Sequence, residues 1–404
     1  MMDRRTARRR ALRALAPRVE RLDARLVLSA SGLPRVAPSY PTDPEFGRQW
    51  GLNNRADVDI DAPEAWRVTT GSASTIVAVL DSGIDAKNPE FKNRLWTNAA
   101  ASRRGRPAYG WNFVANTSDV TDDYGHGTHV AGVIGAAAND GQGITGVDRN
   151  ARIMVLKVLD ARGAGTPEAA AAAVVFAADN GARVVNASWA SEQYSQALYD
   201  AIAYAGTKGV VVVTAAGNEA SDVDARPVYP AAYDLPNILV VTAVDASGKL
   251  ADFANYGATT VDVAAPGVDV YSTFASRSKY ASLTGTSMAV PFATGVVSLV
   301  VGMHPDWSAA KVVEHVKATA RPLASLAGRT VSGGLVDAAQ AVGVAGSGAD
   351  GDTYNGPPTN SSRRIVARSF RGAPARPLRA DSFPGFAAAR PTARLAASRA
   401  VARA

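Results

Sequence analysis

The chain has 404 residues, 47% of them apolar and 20% charged, which is enough to bury a large α/β core and too apolar for wholesale disorder. It contains no cysteine, which excludes disulfides, thiolate metal sites and a cysteine nucleophile. The net charge of +7 belongs to the ends: residues 1–35 carry 10 Arg against 3 acidic residues and residues 346–404 carry 10 Arg against 3 Asp, leaving residues 36–345 at about −7, the wrong sign for a nucleic-acid-binding core.

Three zones follow. Residues 1–42 are Arg-rich and are expected to be an export signal or a short pro-segment. Arg13, Arg18, Glu20, Arg21, Asp23 and Arg25 interrupt any clean apolar region of the kind an export signal carries. Residues 43–345 are expected to form the folded domain, and residues 346–404 a disordered tail rich in Arg, Ala and Pro. Within the domain, short apolar runs predict buried strands over 75–80, 152–158, 184–187, 210–213, 238–244 and 261–264. Helices are predicted over 167–179, capped by Thr166 with Pro167 at the first position, and over 191–207 and 311–320. Strands alternating with helices imply a mainly parallel sheet covered on both faces, with a site at the carboxyl ends of its strands. The longest apolar run, 288–303, contains Pro291 and is shorter than the ~20 residues a membrane span needs, so no span is expected.

Three segments carry chemistry. In the first, the apolar run from Val77 to Leu80 leads straight into Asp81, which is either a functional acid or an ordinary strand-end turn residue. In the second, His126 lies between Gly125 and Gly127, read as leaving the imidazole room on both sides, at the start of a small apolar helix. His126 and His129 could alternatively share a metal, but the metalloprotease pattern of two His four apart with a Glu beside the first is absent. In the third, Gly285 permits a sharp turn and Ser287 opens a long apolar helix, whose first amides favour negative charge. The plainer alternative is that Ser287 or Thr286 is only a cap. Asp, His and Ser in that order is one of the chain orders in which the Ser-His-Asp geometry occurs.

Taken together, Asp81-Ser-Gly-Ile84, His126-Gly-Thr-His-Val-Ala-Gly132 and Gly285-Thr-Ser-Met-Ala-Val-Pro291 resemble the signature segments of the subtilisin family over roughly residues 43–345. The resemblance implies a three-layer α/β fold and a secreted serine endopeptidase, with Ser287 as nucleophile, His126 as base and Asp81 as its orienting acid. Val211 to Asn218 resembles the family's oxyanion segment, which assigns Asn218 as a donor. Ser188-Trp189-Ala190-Ser191 resembles the strand that pairs with substrate, where many relatives have Ser-x-Gly-Gly. Ala215 and Gly217 are expected on the same surface. Val228 falls where some relatives have a pocket-floor glycine, implying a preference for small or medium apolar side chains before the scissile bond.

The resemblance further implies a structural calcium ion, not needed for chemistry, held by Asp43, Glu90 (an Asp in most relatives), Asp140, Gln142 and carbonyls near Ile144. A solvated acidic loop is the alternative. Protein or peptide substrates, a monomer, and an extracellular or cell-envelope location complete the expectation. Only about 40 residues precede the domain, fewer than the usual propeptide. Two other readings compete. An α/β-hydrolase esterase needs a Gly-x-Ser-x-Gly elbow and the order Ser, acid, His, neither of which is present. A catalytically inactive subtilase could serve as a binding module. Peptide ligation would use the same residues as hydrolysis.

Overall fold

The computed structural model describes residues 33–34, 36–98, 102, 108–346 and 365–366. Residues 1–32 and nearly all of the C-terminal tail lie outside the described residues, and with them most of the expectations for those segments. In chain order the helices are α1 (Ala62–Ala65), α2 (His126–Gly135), α3 (Pro167–Asp179), α4 (Gln196–Thr207), α5 (Thr286–Met303), α6 (Ala309–Ala318) and α7 (Ala338–Ala341). The strands are β1 (Ile76–Asp81), β2 (Gly110–Asn112), β3 (Arg152–Lys157), β4 (Val184–Ala187), β5 (Val211–Ala215), β6 (Ile238–Val244), β7 (Val263–Pro266), β8 (Val270–Thr273), β9 (Tyr280–Thr284), β10 (Arg321–Pro322), β11 (Gly334–Leu335) and β12 (Ile365–Val366).

Nine strands form one sheet in the order β10-β11-β7-β6-β5-β4-β1-β3-β2. All neighbours are parallel except β10 and β11. A buried parallel sheet needs apolar residues on both faces, and β1 shows this directly. Val77 and Val79 join one core with α2, α5 and α6, whereas Ala78 and Leu80 join the opposite core with α3 and α4. The result is a three-layer sandwich. A smaller sheet, β12-β9-β8, lies beside it.

Some boundaries differ from the sequence reading, for local reasons. The helix expected over 191–207 begins only at Gln196, because the Ser195 side chain accepts the Leu198 N–H as an N-cap. The residues before it are committed elsewhere: Ser191 N–H donates to the Tyr229 carbonyl at 2.9 Å and Tyr229 N–H returns the bond at 2.7 Å. Ser308 caps α6 in the same way, so that helix starts two residues earlier than expected. The apolar helix α5 is buried from Thr286 to Val301, so its all-round apolarity is that of a core helix. It is long and apolar enough to cross a membrane by composition alone, with 89% of it inside the protein.

Topology fixes where a site can form. In the sheet β5, β4 and β1 are consecutive neighbours, and their carboxyl ends lead into Asn218, Ser188 and Asp81. That end of a parallel sheet is where ligands bind.

Candidate active site

Asp81 is the last residue of β1 and is fully buried. His126 is the first residue of α2, and its Nδ1 lies 2.8 Å from Asp81 Oδ1 and 2.9 Å from Oδ2. Ser82 N–H also donates to Asp81 Oδ1, at 2.7 Å. The Nδ1 position therefore carries the proton, and His126 Nε2 makes no hydrogen bond among the described residues. Burial presses the imidazole pKa down. The charge of Asp81, its hydrogen bond and the charge of Asp122 together outweigh that and hold it above the ordinary histidine value.

The glycines around His126 serve a different purpose from the one read in the sequence. A Cβ on Gly127 would fall 2.4 Å from the Gly83 carbonyl oxygen. Gly125 has φ +97°, and a Cβ there would fall 2.5 Å from the Phe274 ring. Gly127 lets the helix start press against the turn after β1, which brings His126 onto Asp81, and Gly125 lets it pass close to Phe274. His129 takes no part in this. It is fully buried, its Nε2 donates to the Val270 carbonyl at 2.9 Å, and burial lowers its pKa to about 3, so it stays neutral. Among the described residues no group of three His, Cys, Asp or Glu is arranged to hold a metal ion.

A residue the sequence reading passed over organises this corner. Asp122, 8% exposed, accepts hydrogen bonds at Oδ1 from Ser82 Oγ (2.8 Å), Tyr124 N–H (3.1 Å) and Gly125 N–H (2.7 Å). Its Oδ2 accepts from Thr128 N–H (2.9 Å) and Thr128 Oγ1 (2.5 Å). Burial raises its pKa, but the bonds from Thr128, Gly125 and Ser82 outweigh that and leave the carboxyl below the usual range. Ser82 Oγ in turn accepts the Gly127 N–H at 2.9 Å. The sequence signal was an Asp three residues before a glycine that starts a helix.

Ser287 is the second residue of α5 and is 7% exposed. Its hydroxyl donates to the Ser188 carbonyl at 2.8 Å and makes no hydrogen bond to His126. Catalytic hydrogen bonds commonly form only once substrate is bound. Asn218 is half-buried, and its Oδ1 accepts both the Thr286 N–H and the Thr286 hydroxyl, each at 2.9 Å. An amide N–H can donate only to an oxygen, so this fixes the carboxamide orientation and leaves Asn218 Nδ2 as the free donor.

The substrate-strand residues fall into two groups. Ser188 is buried, and its hydroxyl accepts from Asn186 Nδ2 at 2.9 Å, while Asn186 Oδ1 accepts from Thr294 of α5. Ala190 is partly exposed. The Trp189 side chain turns inward: it is 7% exposed and its Nε1 donates to the Leu80 carbonyl at 3.1 Å. It belongs to the same apolar core as Val228, Ala231 and Tyr233. Ala215 and Gly217 are buried beside Asn218, and Val228 is 8% exposed.

The acidic loop presents a mixed donor set for a cation. Asp43 accepts the Asn139 and Asp140 N–H groups at 2.9 and 3.2 Å, and Asp140 Oδ1 accepts the Gln142 N–H. Glu90 Oε1 accepts the Ile144 N–H at 3.1 Å and the Tyr280 hydroxyl at 2.6 Å. Ile144 therefore turns its amide toward Glu90. Glu90 Oε2, by contrast, is buried without any partner. Burial, with Asp140 and Asp43 nearby, pushes Glu90 up to about 7. That orphaned oxygen among acidic neighbours fits a cation at this one point, while both Asp43 oxygens and Glu90 Oε1 already have donors.

A carboxylate-held imidazole and a helix-start serine, set at the carboxyl ends of neighbouring strands, define a site of the serine-hydrolase class. The Subtilase family model matches residues 72–358. The chain is 42% identical over 235 residues to the thermophilic serine proteinase of Bacillus sp. (strain AK1), covering 58% of this chain and 54% of that relative, so it spans about half that relative's length. It is 40% identical over 260 residues to Thermitase of Thermoactinomyces vulgaris, covering 64% of this chain and 84% of the relative. Among solved structures, a protease from Pseudoalteromonas arctica superposes with a TM-score of 0.67 at 30% identity, covering 75% of this chain and 99% of that one. The chain belongs to the subtilase family and is a subtilisin-like serine endopeptidase.

Proposed function

We propose that residues 43–345 cleave peptide bonds through an acyl-enzyme on Ser287, with His126 as general base and acid and Asp81 as its orienting partner. The observation that carries the reading is the bidentate hold of Asp81 on His126 Nδ1, which leaves Nε2 to handle protons. Ser287 Oγ attacks the substrate carbonyl carbon as Nε2 takes its proton. The tetrahedral oxyanion is met by Asn218 Nδ2 and by the Ser287 N–H, one of the leading amides of α5 that have no intrahelical partner. His126 then protonates the leaving amine, and water repeats the sequence to release the acid product. A serine hydroxyl is a weak nucleophile near neutral pH without such a base.

Full-length protein on fluorescent casein at pH 8 tests this. Ser287→Ala is expected to lose activity by roughly 10⁶-fold, as removal of a serine-protease nucleophile does. A folded parent that cleaves nothing and ignores an active-serine phosphonate would instead point to an inactive binding module.

Buried Val228 supports a shallow first specificity pocket, and with it small or medium apolar side chains before the scissile bond. A peptide library should show that preference, with Val228→Gly extending it to Phe. A parent that already prefers Arg, Lys or Trp sinks the assignment. Glu90 Oε2, with Asp43 and Asp140 adding negative charge nearby, is the one group that would meet a calcium ion, which would supply charge neutralisation and no step of the chemistry. The family likeness supports action on proteins outside the cytoplasm.

A further inference from the structure

The segment that presents Asn218 is held by a side chain 37 residues further on. Asn255 is completely buried, and each capacity of its carboxamide is used. Its Oδ1 accepts the Glu219 N–H at 3.0 Å and the Ser221 N–H at 2.9 Å. Its Nδ2 donates to the Ala216 carbonyl at 2.9 Å and to Glu219 Oε2 at 2.8 Å. The backbone adds Asn255 N–H to the Gly217 carbonyl at 3.0 Å. Asn255 thus bonds residues 216, 217, 219 and 221 and makes no bond to Asn218 itself. The Asn218 N–H is taken by Glu219 Oε2, the same oxygen that Asn255 holds, at 2.9 Å.

The loop needs such a clamp. Gly217 has φ +102° and Ala220 has φ +51°, so left-handed residues flank the Asn218–Glu219 pair on both sides. A Cβ on Gly217 would lie 2.4 Å from Asn255 Nδ2 and 2.7 Å from Glu219 Oε2, so glycine permits the close approach. Asn255 is itself anchored to the sheet through the Thr242 hydroxyl, which donates to its carbonyl at 2.5 Å. An oxyanion donor works only if it is aimed before charge develops, at the position the oxyanion will occupy.

We propose that Asn255 is a positioning residue for catalysis: it aims Asn218 Nδ2 by fixing the loop on both sides of it. The proposal rests on the reading of Asn218 as the oxyanion donor, and its test separates the two. The full chain is compared with Asn218→Ala, Asn255→Ala, Asn255→Asp and the double variant Asn218→Ala/Asn255→Ala. Peptide hydrolysis (kcat and KM), inhibition by a peptidyl aldehyde and thermal melting are measured for each. Asn218→Ala is expected to lose ~10²–10³ in kcat. Asn255→Ala is expected to lose about tenfold or more in kcat with KM little changed, aldehyde affinity falling in parallel. The double variant should lose no more than Asn218→Ala alone, because Asn255 acts through that donor.

Asn255→Asp keeps the size and both accepting bonds, and sets a carboxylate against Glu219. It should fold and still lose kcat, which keeps the proposal testable if the alanine variant does not fold. Wild-type kcat in Asn255→Asp overturns the proposal, as does an additive loss in the double variant. Full kcat in Asn218→Ala would instead remove the reading beneath it.

Discussion

The two ends of α2 handle buried carboxylates in opposite ways. At its N-terminus, Asp122 and Asp81 receive donors on each of their oxygens, from Ser82, Tyr124, Gly125, Thr128 and His126. Beyond its C-terminus, Glu90 has two donors on one oxygen and none on the other, with Asp43 and Asp140 adding like charge. A carboxylate provided with donors stays ionised and can orient a base, whereas one short of donors takes up a proton or a cation. The same helix thus joins a corner whose geometry is set by the chain alone to a loop whose charge is left open.

The larger expected effect comes from breaking the satisfied end. Asp122→Ala orphans the Tyr124, Gly125 and Thr128 amides at the start of the helix that carries His126. A stability loss of roughly 2–4 kcal/mol is expected from the unsatisfied donors. Activity should fall with it, because His126 is the first residue of that helix. The pH profile separates this from simple unfolding. Asp81 and Asp122 raise the His126 pKa, so the wild-type acid limb should have its midpoint above the free-histidine value of ~6.5. Removing the Asp122 charge lowers the folded-state pKa, so the limb of Asp122→Ala should move to lower pH. An unmoved limb in a folded variant would mean that Asp122 acts on the helix and not on the imidazole.

How legible each end was in the sequence follows from the same contrast. Asp81, His126 and Ser287 each stand where a change of element shows in the pattern, an apolar strand ending or an apolar helix beginning. Their neighbourhood in space follows once β5, β4 and β1 are adjacent. Asp122 stands four residues before His126, yet its role depends on which amides the start of α2 exposes. Asn255 carried no signal at all: the loop residues its carboxamide bonds are 34 to 39 residues away and meet it only through the sheet. The resemblance that puts Trp189 in the substrate-pairing segment says nothing of its side chain, which the Leu80 carbonyl and the apolar core behind β4 draw inward. At Ile144 the loop's turn aims the amide at Glu90, and composition does not record that.

The smaller effect lies at the unsatisfied end, and pH sets its sign. Glu90 has its folded-state pKa raised from 4.5 to about 7, so its favourable contribution is complete below about 4.5 and is lost as pH rises through 7. That shift corresponds to roughly 3 kcal/mol of destabilisation by pH 8 in the absence of a cation. Melting temperature in chelator should therefore fall between pH 5 and pH 8, beyond the change seen in Glu90→Gln, whose side chain keeps the acceptor for Ile144 and Tyr280 but cannot ionise. Calcium should restore the parent at pH 8, do little at pH 5 where Glu90 holds a proton, and leave Glu90→Gln nearly unmoved. If chelator and calcium give the same melting curve at pH 8 while Glu90→Gln removes the pH dependence, the loop resolves its charge with a proton alone. If Glu90→Gln leaves the pH dependence intact, the contrast between the two ends of α2 does not lie in this carboxylate.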